Sequence, residues 1–293
     1  MVNFDNQLRN SYEHAKSSAQ VSFRRGRFPR HLHNHQLGAC CEFPLLSLWR
    51  ARMSKYDNCT SVLWTVALFS HNDSSPWLVN IGGSDYVTLP NIPPETNTSC
   101  NIAVVSSQVK VQQSERWFVE YVLERELPFL FDMPRSAHSL KILSPRLFPM
   151  ADFVVYTDVK PELPLFLDKI KEVDFTNKAM LFLRHPERFN SLFLEFEATL
   201  QHLVQRSSHH CVIWDMWNMF RLFWFTGILN SSSVYLVPDT VRIVWNLRLW
   251  NSDLEDFMCK WNCLTALLSM REQLSVGVAL SLSEIDQGIL AFV

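Results

Sequence analysis

Three groups of side chains in this chain have types and positions suited to ligand chemistry. Asp158 and Lys160 directly follow the apolar run Phe153 to Tyr156. Four apolar or aromatic residues bounded by Phe148-Pro149 and by these charges predict a short buried strand. A strand that ends on a carboxylate delivers it to the carboxyl edge of a sheet, where open α/β sheets bind ligands. The second group, Arg184-His185-Pro186-Glu187-Arg188, follows the apolar run Ala179 to Leu183 and so belongs to the same edge. Its basic groups suit a diphosphate held by charge-assisted hydrogen bonds. The third, Arg271-Glu272-Gln273, sets an acid beside an amide, which can reach sugar hydroxyls or take up a proton. Each group also has a plainer reading. Asp158 can cap a helix over Pro161–Glu172, the basic pair can be a solvated turn, and Glu272 with Gln273 can cap a helix.

The elements that position these groups read as alternating strands and helices. Buried strands are expected at Ser61–Phe69, Ile102–Val105, Phe153–Tyr156 and Lys178–Leu183. Val234–Val237 and Val241–Trp245 read as two paired strands around Pro238-Asp239. Trp117, Phe118, Tyr121 and Val122 recur at helical spacing, so Gln113–Leu127 reads as a helix. A polar connector carrying Asp132, Arg135 and Lys141 follows it. Further helices are expected at Pro161–Glu172, Ser191–Val204 and Leu254–Leu268, with a buried, Trp-rich helix over Cys211–Leu229. The fold class is therefore α/β. Residues 1–57, rich in Arg and His and poor in acids, read as a basic, flexible extension ahead of one domain over 58–293.

Composition excludes several classes. The chain has 293 residues, 47% hydrophobic and 19% charged, which is enough for a sizeable core. A formal net charge of -2 gives no reason to expect a nucleic-acid partner. With 7 glycines and no GxGxxG or GxxxxGK[ST], phosphate-cradling loops are not expected. GxSxG and HExxH are absent too. The 7 cysteines form no zinc pattern, although His209, His210 and Cys211 could join Cys259 and Cys263 at a metal. Buried free thiols are the commoner outcome. No transmembrane span is expected, because the longest apolar stretch, Cys211–Leu229, carries Asp215 and Arg221. No signal peptide is expected from the polar first residues. Sequons at Asn58, Asn72, Asn97 and Asn230 favour a secretory lumen mildly.

Four blocks in order resemble the glycosyltransferase-like family of the plant mucilage-related and turgor-regulation-defect proteins. They are Val62–Phe69; Asp132, Arg135 and Lys141 with Leu143, Arg146-Leu147-Phe148-Pro149, Ala151, Tyr156, Asp158 and Lys160; Arg184-His185-Pro186 and Arg188 with Glu195 and Glu197; and Arg271-Glu272-Gln273-Leu274-Ser275. The resemblance spans roughly residues 60 to 280 and implies a GT-A-like nucleotide-sugar-transferase sandwich, a central mixed, mostly parallel sheet flanked by helices. It implies transfer of a sugar from a nucleotide-diphosphate donor to a glycan acceptor. Asp158, Glu272 and Gln273 would then act in catalysis. Lys141, Lys160, Arg184, His185, Arg188 and Arg271 would hold the donor's diphosphate. Mn²⁺ or Mg²⁺ would be expected at Asp158, but Lys160 stands where the second acid of a metal-binding D-x-D would be, and a lysine there repels a metal. The family's histidine before R-L-F-P is Pro145 here, and its Gly-Gly-Tyr-Asp is Ser70-His71-Asn72-Asp73. These changes leave a catalytically degenerate binding protein on the same fold as an alternative. A ceramide-type lipid amide hydrolase is a third reading. The resemblance implies the Golgi or secretory lumen, reached through an anchor or partner outside this chain; the cytoplasm stays open because no signal or anchor is read in it.

Overall fold

The computed structural model describes residues 45–69, 78–81, 84–92, 98–112, 115–129, 133–159, 163–185, 191–192, 194–195, 198, 236–267, 272–283 and 285–293. Helix α1 (Leu46–Met53) and a 3-10 turn lead into strand β1 (Ser61–Ala67). Then come β2 (Leu78–Ile81), β3 (Ser84–Thr88), β4 (Ser99–Ser106), β5 (Lys110–Gln112) and β6 (Phe118–Val122). Helices α2 (Met133–Ile142) and α3 (Ser144–Leu147) precede β7 (Phe153–Thr157), α4 (Leu163–Lys171) and β8 (Met180–Arg184). The chain continues through β9 (Pro238–Asn246), α5 (Ser252–Leu267), α6 (Glu272–Leu282) and β10 (Leu290–Phe292).

Seven strands form one sheet in the order β10-β8-β9-β7-β1-β4-β6. Only β9 runs against its neighbours, β7 and β8; the other pairings are parallel. A second, three-stranded sheet has the order β2-β3-β5. Both faces of the large sheet are covered, which is why its strands read as unbroken apolar runs. On one face Trp64, Tyr156, Phe182 and Trp245 pack with α1, α2, α5 and α6 through Trp49, Leu140, Trp261 and Leu274. On the other, Leu63, Val155 and Val244 pack with Phe166 of α4 and with Val87 of the small sheet. Gly277 lets α6 approach closely, since a Cβ there would stand 2.9 Å from Leu192 Cδ1 and 3.3 Å from the Leu236 carbonyl oxygen.

Topology places the ligand edge. From β1 the chain moves outward through β4 to β6, then returns to the opposite side of β1 as β7. The strand order therefore reverses between β1 and β7, and the crevice outside their carboxyl ends is the switch point of this sheet. Asp158 directly follows β7 there.

Four expectations are corrected. Gln113–Leu127 is not a helix: its core is β6, beside β4. Trp117 and Val122 are buried while Phe118 and Tyr121 are half exposed, so the four residues at helical spacing do not share one buried face. The connector carrying Arg135 and Lys141 is helix α2, whose buried face mixes Met133, Leu140 and Ile142 with Ser136, Ser139 and Lys141 and so is interrupted by polar residues. Pro238-Asp239 is no turn between two strands but the start of the single strand β9, a position where a missing N–H is tolerated. Residues 45–57 belong to the folded body, with Trp49 1% and Met53 0% exposed, although they read as part of the extension. The helices expected over Cys211–Leu229 and most of Ser191–Val204 lie outside the described residues.

Candidate functional site

The site is assembled on the face of β7 that looks toward α2 and α6. Tyr156 and Asp158 are two residues apart, so they share that face. The Tyr156 hydroxyl donates to Asp158 Oδ1 at 2.8 Å. The Tyr156 ring packs edge-on against Trp64 of β1, at 5.7 Å and 77°, which fixes the direction of its hydroxyl. Asp158 is anchored through its backbone as well, its N–H donating to the Val241 carbonyl at 2.8 Å.

Helix α2 brings His138 and Lys141, three positions apart and therefore on one helical face. Both reach Glu272, the first residue of α6. Lys141 Nζ lies 3.1 Å from Glu272 Oε1, and His138 Nε2 lies 3.0 Å from Oε2. Thr240 Oγ1 donates to Oε1 at 3.1 Å. Thr240 is turned this way by an irregularity in β9: Phe182 pairs with Ile243, but Leu183 pairs with Asp239. Such bulges re-aim side chains beside functional sites. The helix start also favours the Glu272 anion electrostatically.

Lys141 is the hub. Its side chain is 1% exposed, and its ammonium also stands 3.7 Å from Asp158 Oδ1 and 4.9 Å from the centre of the Tyr156 ring. Burial pulls its pKa down, but Asp158, Glu272 and Asp239 outweigh that and hold it above the ordinary lysine value. Burial pushes the Glu272 carboxyl up, yet the charges of His138 and Lys141 prevail and hold it well below the ordinary carboxylate range. Burial and the neighbouring Asp158 raise the Tyr156 phenol, which stays a hydrogen-bond donor. Gln273 is oriented by Asp239, its Nε2 donating to Oδ1 at 3.2 Å.

Of the residues singled out in the sequence, Lys141, Asp158 and Glu272 meet in this cluster, and Gln273 adjoins it through Asp239. Arg184 ends β8 opposite Pro238, at the same edge of the sheet. His185 is buried, with Nε2 3.9 Å from Glu195 Oε2. Lys160, Arg188 and Arg271 lie outside the described residues. His138, Thr240 and Asp239 were missed. No local signal marks them; only the return of α6 and β9 to α2 brings them together, with 131 positions between Lys141 and Glu272.

A divalent cation fits this donor set poorly. Mg²⁺ and Mn²⁺ take about six oxygens. Here Asp158 Oδ1 is taken by Tyr156 and Lys141, and both oxygens of Glu272 are engaged. A dication about 5 Å from the Lys141 ammonium would meet about 7 kcal/mol of repulsion at an effective dielectric constant near 20. Among the described residues no three His, Cys, Asp or Glu side chains converge as a metal-ligand set. Cys259 and Cys263 are disulfide-bonded and so offer no thiolate to zinc, nor are they free thiols. A disulfide also joins Cys59 to Cys100, with Cα atoms 5.8 Å apart. No helix among the described residues is long and apolar enough to cross a membrane. Comparison with protein-family models, curated proteins and solved structures finds no match to this chain.

Proposed function

We propose that the chain is a glycosyltransferase domain of the GT-A type, moving a sugar from a nucleotide-diphosphate donor to a carbohydrate acceptor. The carrying observation is the position of Asp158. It sits at the switch point of a mostly parallel sheet, its side chain is 33% exposed, and it is held by Tyr156 and Lys141. A carboxylate presented in this way accepts hydrogen bonds from the hydroxyls of a donor's ribose or sugar. Gln273, oriented by Asp239, offers an amide to the same ligand. Arg184 sits at the edge where a diphosphate would need cationic groups, a role it would share with Lys160, Arg188 and Arg271.

Glu272 has a supporting part in this reading. A general base works best with a pKa near the operating pH. Glu272 is held far below that and has both oxygens engaged, so it fixes Lys141 and His138 rather than taking up the acceptor's proton. Lys141 likewise acts on the carboxylates, since its ammonium is enclosed by them. The same locking of Glu272 favours the second reading, a binding protein on this fold that has lost its base. The Cys59–Cys100 disulfide supports an oxidising compartment such as the secretory lumen.

Turnover tests the reading. The full chain, supplied with nucleotide-diphosphate sugars and oligosaccharide acceptors, is expected to release nucleoside diphosphate, and Asp158→Asn is expected to abolish the release. Donor binding without release by the unaltered chain would select the binding protein. Release that survives Asp158→Asn would remove Asp158 from the site.

A further inference from the structure

We infer that this site works without a divalent cation, because Lys141 is the permanent cation that Asp158 and Glu272 share. The inference rests on the proposed function for its ligand but on geometry for its substance. The Lys141 ammonium occupies the place a bridging ion would take between two carboxylates, 3.1 Å from Glu272 Oε1 and 3.7 Å from Asp158 Oδ1. It is held there from every side. Its neighbours Leu140, Ile142 and Leu143 are fully buried, which anchors this end of α2 in the core. The face of the Tyr156 ring lies 4.9 Å away and favours a cation at that spot.

The carboxylate oxygens that face the ammonium are engaged as well. Glu272 Oε1 takes Lys141 and Thr240, and Oε2 takes His138. Asp158 Oδ1 takes Tyr156 and Lys141. Asp239, the remaining acid, takes the Val241 N–H and the Gln273 amide on Oδ1. A metal ion entering between the two carboxylates would have to displace this ammonium. A donor's diphosphate must then be neutralised by basic side chains, which limits the chemistry to groups that leave without a metal bridge.

Titration of the full-length chain with Mn²⁺, followed by the paramagnetic resonance signal of free Mn²⁺, tests this directly. The signal of the unaltered chain is expected to show no loss to protein. Lys141→Met, which keeps the apolar stem and removes the charge, is expected to take up one equivalent of Mn²⁺, and adding Asp158→Asn to that variant should abolish the uptake. Stoichiometric uptake by the unaltered chain, lost in Asp158→Asn, would overturn the inference even if Lys141→Met fails to fold. A second arm measures melting with nucleoside diphosphates in Mn²⁺ or in a chelator. An equal rise in both supports the inference, and a rise that requires Mn²⁺ overturns it. No rise with any nucleotide would count against the proposed function, while the resonance signal would still decide the metal question.

Discussion

Two carboxylates are buried at two ends of this fold, and their surroundings differ in a telling way. Glu120 lies in β6, at the outer edge of the large sheet. Its Oε1 is met by the Tyr56 hydroxyl and by Lys55 Nζ, and Arg52 Nε stands 3.8 Å from Oε2. Burial first, then the bond to Glu120, raises the Tyr56 phenol above its ordinary range. The cations around Glu120 reach water: Lys55 is 55% and Arg52 29% exposed. Glu272 is held instead by a lysine that is 1% exposed, and that lysine also orients Asp158, an acid that reaches solvent. The Glu120 cluster ties α1 to the sheet and leads nowhere. The Glu272 cluster spends its buried charge on aiming another group into the switch-point crevice. A buried charge network therefore suggests a site when one of its members faces outward at the ligand edge.

Substitutions can break the contrast. Lys141→Met removes the buried ammonium from Glu272 and Asp158 and should lower unfolding free energy by about 3–5 kcal/mol in urea denaturation. Loss of less than about 1 kcal/mol would mean that the ammonium is not the hub. The α1 end has a covalent staple instead. The disulfide between Cys59 and Cys100, 41 positions apart, closes a loop beside Tyr56. Cys59→Ser should cost about 2–4 kcal/mol, read from the shift in urea midpoint between oxidised and variant chains.

The pH dependence sharpens the same comparison. Glu272 has a lowered folded pKa, so its contribution is complete above the unfolded value near 4.5 and is lost as pH falls below it. Lys141 has a raised pKa, so its contribution is complete below 10.5 and is lost as pH rises past that value. The Glu272 contribution should therefore decline on the acid side and the Lys141 contribution on the basic side, with His138 titrating between those limits. The acid-side loss should exceed about 1.4 kcal/mol, the worth of one pKa unit. Glu272→Gln should flatten that acid limb; an unchanged limb would assign it to other groups. Smaller effects belong to the exposed cluster. Glu120→Gln should cost about 1 kcal/mol. Lys55→Ala should cost less than about 0.5 kcal/mol and lose even that in high salt.

Much of this fold could be read in advance where burial on both faces made strands continuous. Val62–Ala67, Ile102–Val105, Phe153–Tyr156 and Met180–Leu183 carry almost no polar interruption, and each is a strand. The reading failed where polar residues are buried or aromatic ones exposed. In β6 Glu120 is buried while Phe118 and Tyr121 are half exposed, so no alternation of buried apolar residues marks the strand. In α2 the inward face carries Ser136, Ser139 and Lys141, and the partner of Lys141, Glu272, lies far along the chain. The site divides in the same way. Asp158 was legible because a strand ended on it, and Glu272 because a helix began on it. Lys141 stood out only through the family resemblance, and nothing near His138 or Thr240 in sequence indicates that they grip Glu272.

The proposed ligand of the switch-point edge beside Asp158 is a nucleotide-diphosphate sugar. Thermal melting of the full chain against a panel of such donors measures this most directly, because a ligand that binds only the folded state stabilises it by mass action. At about a hundredfold excess over the dissociation constant the gain is about 2.7 kcal/mol, or several degrees for a chain of this size. A rise of that order is expected with at least one nucleotide-diphosphate sugar, and none in Asp158→Asn. Identical melting with and without every donor, or a rise that Asp158→Asn leaves intact, would contradict it.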